Sequence, residues 1–167
     1  MNAASAATHL PAESSPVARA VAWGLSRVHK ELPPWLFYDR EGSHLFEEIT
    51  ELPEYYPTRT ERLIFETHAD AIVHDAADGA RFTMIELGAG TATKTRILLA
   101  AQVRAQGECE YIPVDVSPTA LEIARHEITE SLPKVRVRPV VCTTEEAPTE
   151  IRKVPGRRLV LFIGSSI

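Results

Sequence analysis

The residues best suited to do chemistry lie between positions 84 and 115. Met84-Ile85-Glu86-Leu87-Gly88-Ala89-Gly90-Thr91-Ala92-Thr93-Lys94-Thr95 reads as an apolar strand that stops in a Gly-X-Gly turn and runs into a helix. Such a turn lets the backbone approach a ligand closely, and the helix start offers unpaired N–H groups and a positive dipole end to an anion. The third glycine of the dinucleotide fingerprint is replaced by Thr93, which disfavours NAD and FAD. Asp115 ends the next strand, where a carboxylate can accept hydrogen bonds from both ribose hydroxyls of an adenosine ligand. Its other reading is a turn or capping residue ahead of Ser117-Pro118. Together with the glycine turn, Asp115 favours adenosine.

Lys94 falls in the first turn of the predicted helix, an unfavourable place for a cation beside a positive dipole end, so either an anion sits nearby or the side chain points to water. Thr91 and Thr93 are placed either to cap that helix or to bond the same anion.

The elements that position these residues follow from patterning. From Phe82 onward short apolar runs alternate with helical segments, the signature of a parallel sheet covered by helices. Four strands are predicted at 82–87, 110–114, 135–141 and 159–163, the last apolar enough to be buried on both faces. Helices are predicted from Thr93 to Gln106, stopped by Gly107, and from Ser117-Pro118 to Leu132, with Leu121, Ala124 and Ile128 on one face. Right-handed crossovers give the strand order 3-2-1-4, with the ligand at the switch point beside strands 1 and 4. Upstream the pattern is helical. One helix runs from Ser15-Pro16 to Lys30 and ends at Leu32-Pro33-Pro34; a second is opened by Ser43 and closed by Pro53. A third starts at the capping box Thr58-Arg59-Thr60-Glu61 and turns Ile64, Ala71 and Ile72 inward. The expected organisation is therefore a mobile tail over 1–15, a helical segment over 16–80 and a partial Rossmann-like domain over 81–167. A chain stopping just after its fourth strand leaves a central strand as an edge, which suggests a fragment or a chain completed by another.

Composition limits the alternatives. A length of 167 residues suits one domain, and a net charge of -5 argues against a nucleic-acid or anionic-membrane binder. The basic run Arg152-Lys153 and Arg157-Arg158 reads as a solvated loop. Cys109 and Cys142 lack CxxC spacing and the six histidines lack an i, i+4 pair, so neither a disulfide framework nor a metal site is expected. No window approaches the roughly 18 apolar residues of a membrane span, and the N-terminus lacks a secretory pattern, so a cytosolic protein is expected.

A strand, a Gly-X-Gly turn and a carboxylate one strand later resemble class I methyltransferases that use S-adenosylmethionine. The upstream segments Leu32-Pro33-Pro34-Trp35-Leu36-Phe37-Tyr38-Asp39, Gly42-Ser43-His44-Leu45-Phe46-Glu47-Glu48-Ile49-Thr50 and Leu52-Pro53-Glu54-Tyr55-Tyr56-Pro57-Thr58-Arg59 resemble the histidine Nα-methyltransferases of ergothioneine biosynthesis. The resemblance continues through Glu86 to Arg96, Pro113 to Val116, and Arg157 to Ser165, and so spans about the N-terminal half of that family's pattern. It implies trimethylation of the α-amino group of histidine to hercynine, with relatives acting on other amino acids. It further implies that Gly88, Lys94 and Asp115 bind the methyl donor, with Tyr38 a further contact, and that Tyr55 hydrogen-bonds the substrate amine. Packing is the other reading of Tyr55 and Tyr56. The family's acidic and aromatic adenine contacts are replaced at the aligned positions by Thr144 and Glu145, of which Glu145 is the candidate substitute. Two functions follow as expectations: an amino-acid N-methyltransferase, or a donor-binding half that needs a complementary chain.

Overall fold

The computed structural model describes residues 15–37 and 39–163. Among them are six α-helices and a parallel sheet. The helices are α1 (Pro16–Ser26), α2 (Arg40–Glu51), α3 (Tyr56–Ala77), α4 (Thr95–Gln106), α5 (Pro118–Ser131) and α6 (Ala147–Arg152). The strands are β1 (Phe82–Leu87), β2 (Cys109–Asp115), β3 (Val135–Val137), β4 (Val140–Val141) and β5 (Arg157–Phe162). The sheet order is β3-β2-β1-β5, with β4 also on β2, which is the expected 3-2-1-4 arrangement. Met84 lies opposite Tyr111 and Leu159, so β1 is the central strand.

Two apolar clusters cover the two faces. On one, Phe82, Met84 and Tyr111 pack beneath Ala69 and Val73 of α3, Leu98 and Leu99 of α4, and Ala124 and Ile128 of α5. On the other, Ile85, Ile112 and Val114 meet Ala147 of α6 and Val154. Alternation along β1 and β2 assigns successive side chains to opposite layers, which is why both strands read as nearly continuous apolar runs. Helix α3 belongs to this core even though it precedes the sheet.

The third predicted strand is broken into β3 and β4, and the cause lies in its neighbour. In β2, the Cys109 amide donates to Lys134, the Tyr111 carbonyl accepts from Arg138 and the Asp115 carbonyl accepts from Cys142, so odd-numbered residues face this side. Pro113 falls in that series and has no N–H to donate, which interrupts the ladder between Val137 and Val140. The expectation that the last strand is buried on both faces also fails: Leu159 and Leu161 pack on the core, while Val160 is 44% exposed.

The helical segment differs at its boundaries. Helix α1 ends at Ser26, well before the prolines, because the chain folds back so that the Glu31 amide reaches the Gly24 carbonyl. A Cβ on Gly24 would lie 2.0 Å from the Glu31 carbonyl oxygen, so only glycine permits this return. Helix α2 is capped by Asp39, whose carboxylate accepts from the Gly42 amide at 2.8 Å, and not by Ser43. Helix α3 begins at Tyr56 with Pro57 in its first turn, so the Thr58 capping box is already inside the helix. Its inward residues are Ala69 and Val73; Ile64 and Ala71 are exposed and Ile72 is half-buried. Helix α4 starts at Thr95 because the preceding turn runs on through Ala92, which takes a left-handed φ of 55°. By contrast Gly107 stops α4 with φ 83°, and Ser117 caps α5 by accepting from the Ala120 amide, both as the sequence predicts.

Candidate functional site

The glycine turn closes the C-terminal end of β1 against β2. Gly88 and Gly90 take φ values of 66° and 52°, conformations that a side chain strains. The Ala89 amide donates to the Val114 carbonyl at 3.1 Å, and the Ala92 amide returns to the Ala89 carbonyl at 2.9 Å. A Cβ added to Gly88 or Gly90 would meet nothing within 4 Å, so the turn presents bare backbone to open space.

Asp115 holds this turn. Its half-buried carboxylate accepts from the Gly90 amide at 2.9 Å and from the Ser117 amide at 2.8 Å. The turn reading of Asp115 is met ahead of α5, and the same carboxylate lies against the glycine loop. An ionised carboxylate has about four acceptor positions, so two amides leave capacity for ligand hydroxyls. The bare turn and this acceptor suit the ribose edge of an adenosine ligand.

The anion beside Lys94 comes from the protein. Lys94 Nζ donates to the Glu61 carboxylate of α3, in an ion pair whose side chains are 23% and 27% exposed. Thr91 reaches Glu47 of α2 at 3.3 Å and Thr93 at 3.0 Å, so these threonines bond to side chains instead of capping α4. The helical segment therefore touches the glycine loop twice, through Glu47 and Glu61.

Below the turn lies a buried polar cluster. Glu86 is 3% exposed, and one of its carboxylate oxygens accepts from Thr95 Oγ1 at 2.7 Å and from the Tyr111 hydroxyl. Burial pushes its carboxyl up to about 7, against the pull of the two hydroxyls and of Lys94. Burial also raises the Tyr111 phenol well above its usual range, reinforced by the neighbouring Glu86 charge, so the phenol remains a donor.

The remaining predicted residues are spread around this core. Tyr55 immediately precedes α3 and packs edge-on against Phe46, ring centres 6.1 Å apart, whereas Tyr56 is 68% exposed. Arg59 closes that segment by donating to the Leu52 carbonyl at 2.8 Å and to the Pro53 carbonyl. Thr144 and Glu145 are exposed in the turn between β4 and α6, which begins one residue beyond the level of Asp115. Tyr38 lies outside the described residues, as do residues 164–167.

Sequence reasoning missed the partners of these residues. Glu61 was legible in principle: it shares the stripe of Phe65, Ala69 and Val73 at four-residue spacing, and a carboxylate on an inward stripe needs a partner. Glu86 and Tyr111 carried a similar signal as polar groups within strands of a sheet expected to be covered by helices. Nothing local announced the Arg59 contacts.

A parallel sheet of order β3-β2-β1-β5, with a glycine turn after β1 and a carboxylate at the end of β2, is a Rossmann-like arrangement. The chain belongs to the family of histidine-specific, S-adenosylmethionine-dependent methyltransferases, whose profile matches residues 17–167. It is 45% identical over 167 residues to a histidine N-alpha-methyltransferase of Mycolicibacterium smegmatis, covering 98% of this chain and 50% of the relative. The corresponding protein of Mycobacterium tuberculosis is 40% identical over 166 residues, with the same coverage of 98% and 50%. An ergothioneine biosynthesis protein 1 of Neurospora crassa is 33% identical over 144 residues, covering 83% of this chain and 16% of that protein. The chain spans about half the length of the first two relatives. Among the described residues, no helix is long and apolar enough to cross a membrane.

Proposed function

We propose that this chain carries the donor site of an N-methyltransferase that acts on the α-amino group of histidine and yields hercynine. The observation that carries the donor site is the Asp115 carboxylate laid against the Gly90 amide. The choice of histidine is supported by the family and by the relatives' names.

When bound, S-adenosylmethionine would supply an electrophilic sulfonium methyl open to in-line attack by an amine lone pair, the carbon–nitrogen bond forming as the carbon–sulfur bond breaks and S-adenosylhomocysteine leaves. The chain's own residues bind and orient. Gly88 and Gly90 give the ligand bare backbone; Asp115 accepts from the ribose hydroxyls; Lys94 faces the ligand carboxylate. Thr144 and Glu145 stand on the adenine side, with Tyr38 as a further contact. Tyr55 holds the acceptor amine in line, and the proton leaves to water. Alignment of this kind is worth about 7–11 kcal/mol of barrier. It works only on neutral amine, roughly a tenth of a peptide-like α-amino group at pH 7.

Incubation with S-adenosylmethionine and each free amino acid, followed by mass spectrometry, tests the activity. Methylated histidine is expected, and an intact folded chain that yields no methylated product overturns it. The second reading is a donor-binding module without turnover. Calorimetry with S-adenosylhomocysteine separates the two: saturable binding that is lost in Asp115→Ala, without product, supports the module.

A further inference from the structure

We infer that Glu86 is a positioning residue for the donor site: its buried carboxylate, gripping Thr95 and Tyr111 together, clasps the base of the glycine turn and sets the turn's affinity for ligand. The inference rests on the donor-site reading above.

The geometry is that of a closed loop. Glu86 lies near the end of β1 and Thr95 is the first residue of α4, so their 2.7 Å hydrogen bond ties the two limbs of the strand-turn-helix unit across its base. The Tyr111 hydroxyl bonds to the same oxygen and fixes the clasp to β2. Four residues further along β2, Asp115 holds the tip of the same turn through Gly90. The turn is thus held by two carboxylates, one exposed enough to meet a ligand and one wholly inside. Burying a carboxylate is costly when apolar packing would serve a strand equally well, so a lone acid in the β1 core marks a positional requirement.

The clasp is strongest when Glu86 is ionised, because hydrogen bonds to a charged acceptor are roughly twice as strong as neutral ones. The groups facing it are Tyr111 and Asp115 from β2, Thr95 from α4, and Lys94 from the turn, itself paired with Glu61 of α3. Its neighbours in register, Pro113 and Leu161, do not titrate. Burial places the Glu86 titration near neutrality, at about 7, within reach of a binding experiment.

The test is calorimetry with S-adenosylhomocysteine across pH 6 to 8 on the wild-type chain, Glu86→Gln, Tyr111→Phe, Thr95→Val and Thr95→Ser. Wild type is expected to bind more tightly at pH 8 than at pH 6, and Glu86→Gln to bind about tenfold more weakly with a flat profile, the size of one lost charge-assisted bond. Tyr111→Phe withdraws one donor from the ionised acid and should move the midpoint to higher pH. Thr95→Val fills the same buried volume without a hydroxyl and should weaken binding, whereas Thr95→Ser restores it; this pair answers the question even where Glu86→Gln does not fold. Folded variants that bind as wild type, with its pH profile, overturn the positioning role. Wild type that binds no S-adenosylhomocysteine at any pH overturns instead the donor-site reading on which it rests.

Discussion

Lys94 and Glu61 form an ion pair that joins the glycine turn to the inward face of α3. Glu61 thereby occupies one donor direction of the ammonium that the proposed donor site turns toward a ligand carboxylate. Two carboxylates about 4 Å apart repel by about 4 kcal/mol at an effective dielectric of about 20, less where solvent reaches them. Replacing Glu61 with Gln is therefore expected to tighten binding of S-adenosylhomocysteine about three- to tenfold, while the lost pair costs about 1 kcal/mol or less of stability. Calorimetry and thermal melting of the same preparation read both effects, and weaker binding in Glu61→Gln would contradict the competition.

Asp115 serves the fold whether or not a ligand is bound. Asp115→Asn keeps one carbonyl acceptor for two amides, those of Gly90 and Ser117, and strands the other. A loss of about 1–3 kcal/mol is expected. Urea denaturation measures it, and stability equal to wild type would show that water replaces the carboxylate there.

At Gly90 the strain is purely conformational, because a Cβ meets nothing. Gly90→Ala should cost about 1–2 kcal/mol from its left-handed φ and should weaken S-adenosylhomocysteine binding by covering the bare backbone. A variant that loses stability but keeps full affinity would place the ligand elsewhere.

Arg59 secures the segment that presents Tyr55. The Leu52 carbonyl accepts from both the Arg59 guanidinium and the Tyr55 amide, so Arg59→Ala should accelerate amide hydrogen exchange at Tyr55 before it affects β1. Unchanged exchange at Tyr55 would show that the Phe46 contact suffices.

Glu86 also gives stability a pH dependence of definite sign. Its folded value, about 7, lies above the ordinary 4.5, so the folded state holds this proton longer than the unfolded chain does. The contribution is fully present below about 4.5 and is lost as pH rises through about 7. Glu86→Gln should therefore be more stable than wild type at pH 8, with the advantage vanishing toward pH 5, as urea midpoints at the two pH values will report. The ionised clasp favoured for binding is thus the form that burial disfavours, a familiar exchange of stability for function.

The parts legible in the sequence are those where local signals agree. Gly107 after an amphipathic run, Ser117-Pro118 before another, and the apolar 82–87 stretch each place an element correctly, because caps and periodicity act within a few residues. What escaped depends on partners distant in sequence. The break between β3 and β4 follows from Pro113 in the adjacent strand, and the phase of α3, with Ala69 and Val73 inward in place of Ile64 and Ala71, follows from the sheet it packs on. At the site, Gly88, Gly90 and Asp115 were legible as a motif. Its attachment to Glu61 was legible only as a carboxylate on an inward stripe with no partner named, and its attachment to Glu47 not at all, because a hydrogen bond between a turn and a distant helix leaves no period in the chain.

Pro113 has one more consequence. By splitting the third strand it leaves the Thr143–Glu146 turn hanging from a two-residue ladder on β2, while Gly90 and Asp115 are anchored to the fully buried centre of the sheet. The turn is held at its far end by Ala147 of α6, which is buried against Ile85, Ile112 and Val114, so its two ends are anchored by unequal means, a short ladder on one side and core packing on the other. On the donor-site reading proposed above, the sugar of the ligand would meet the firmly anchored side and the base the side at Thr144 and Glu145.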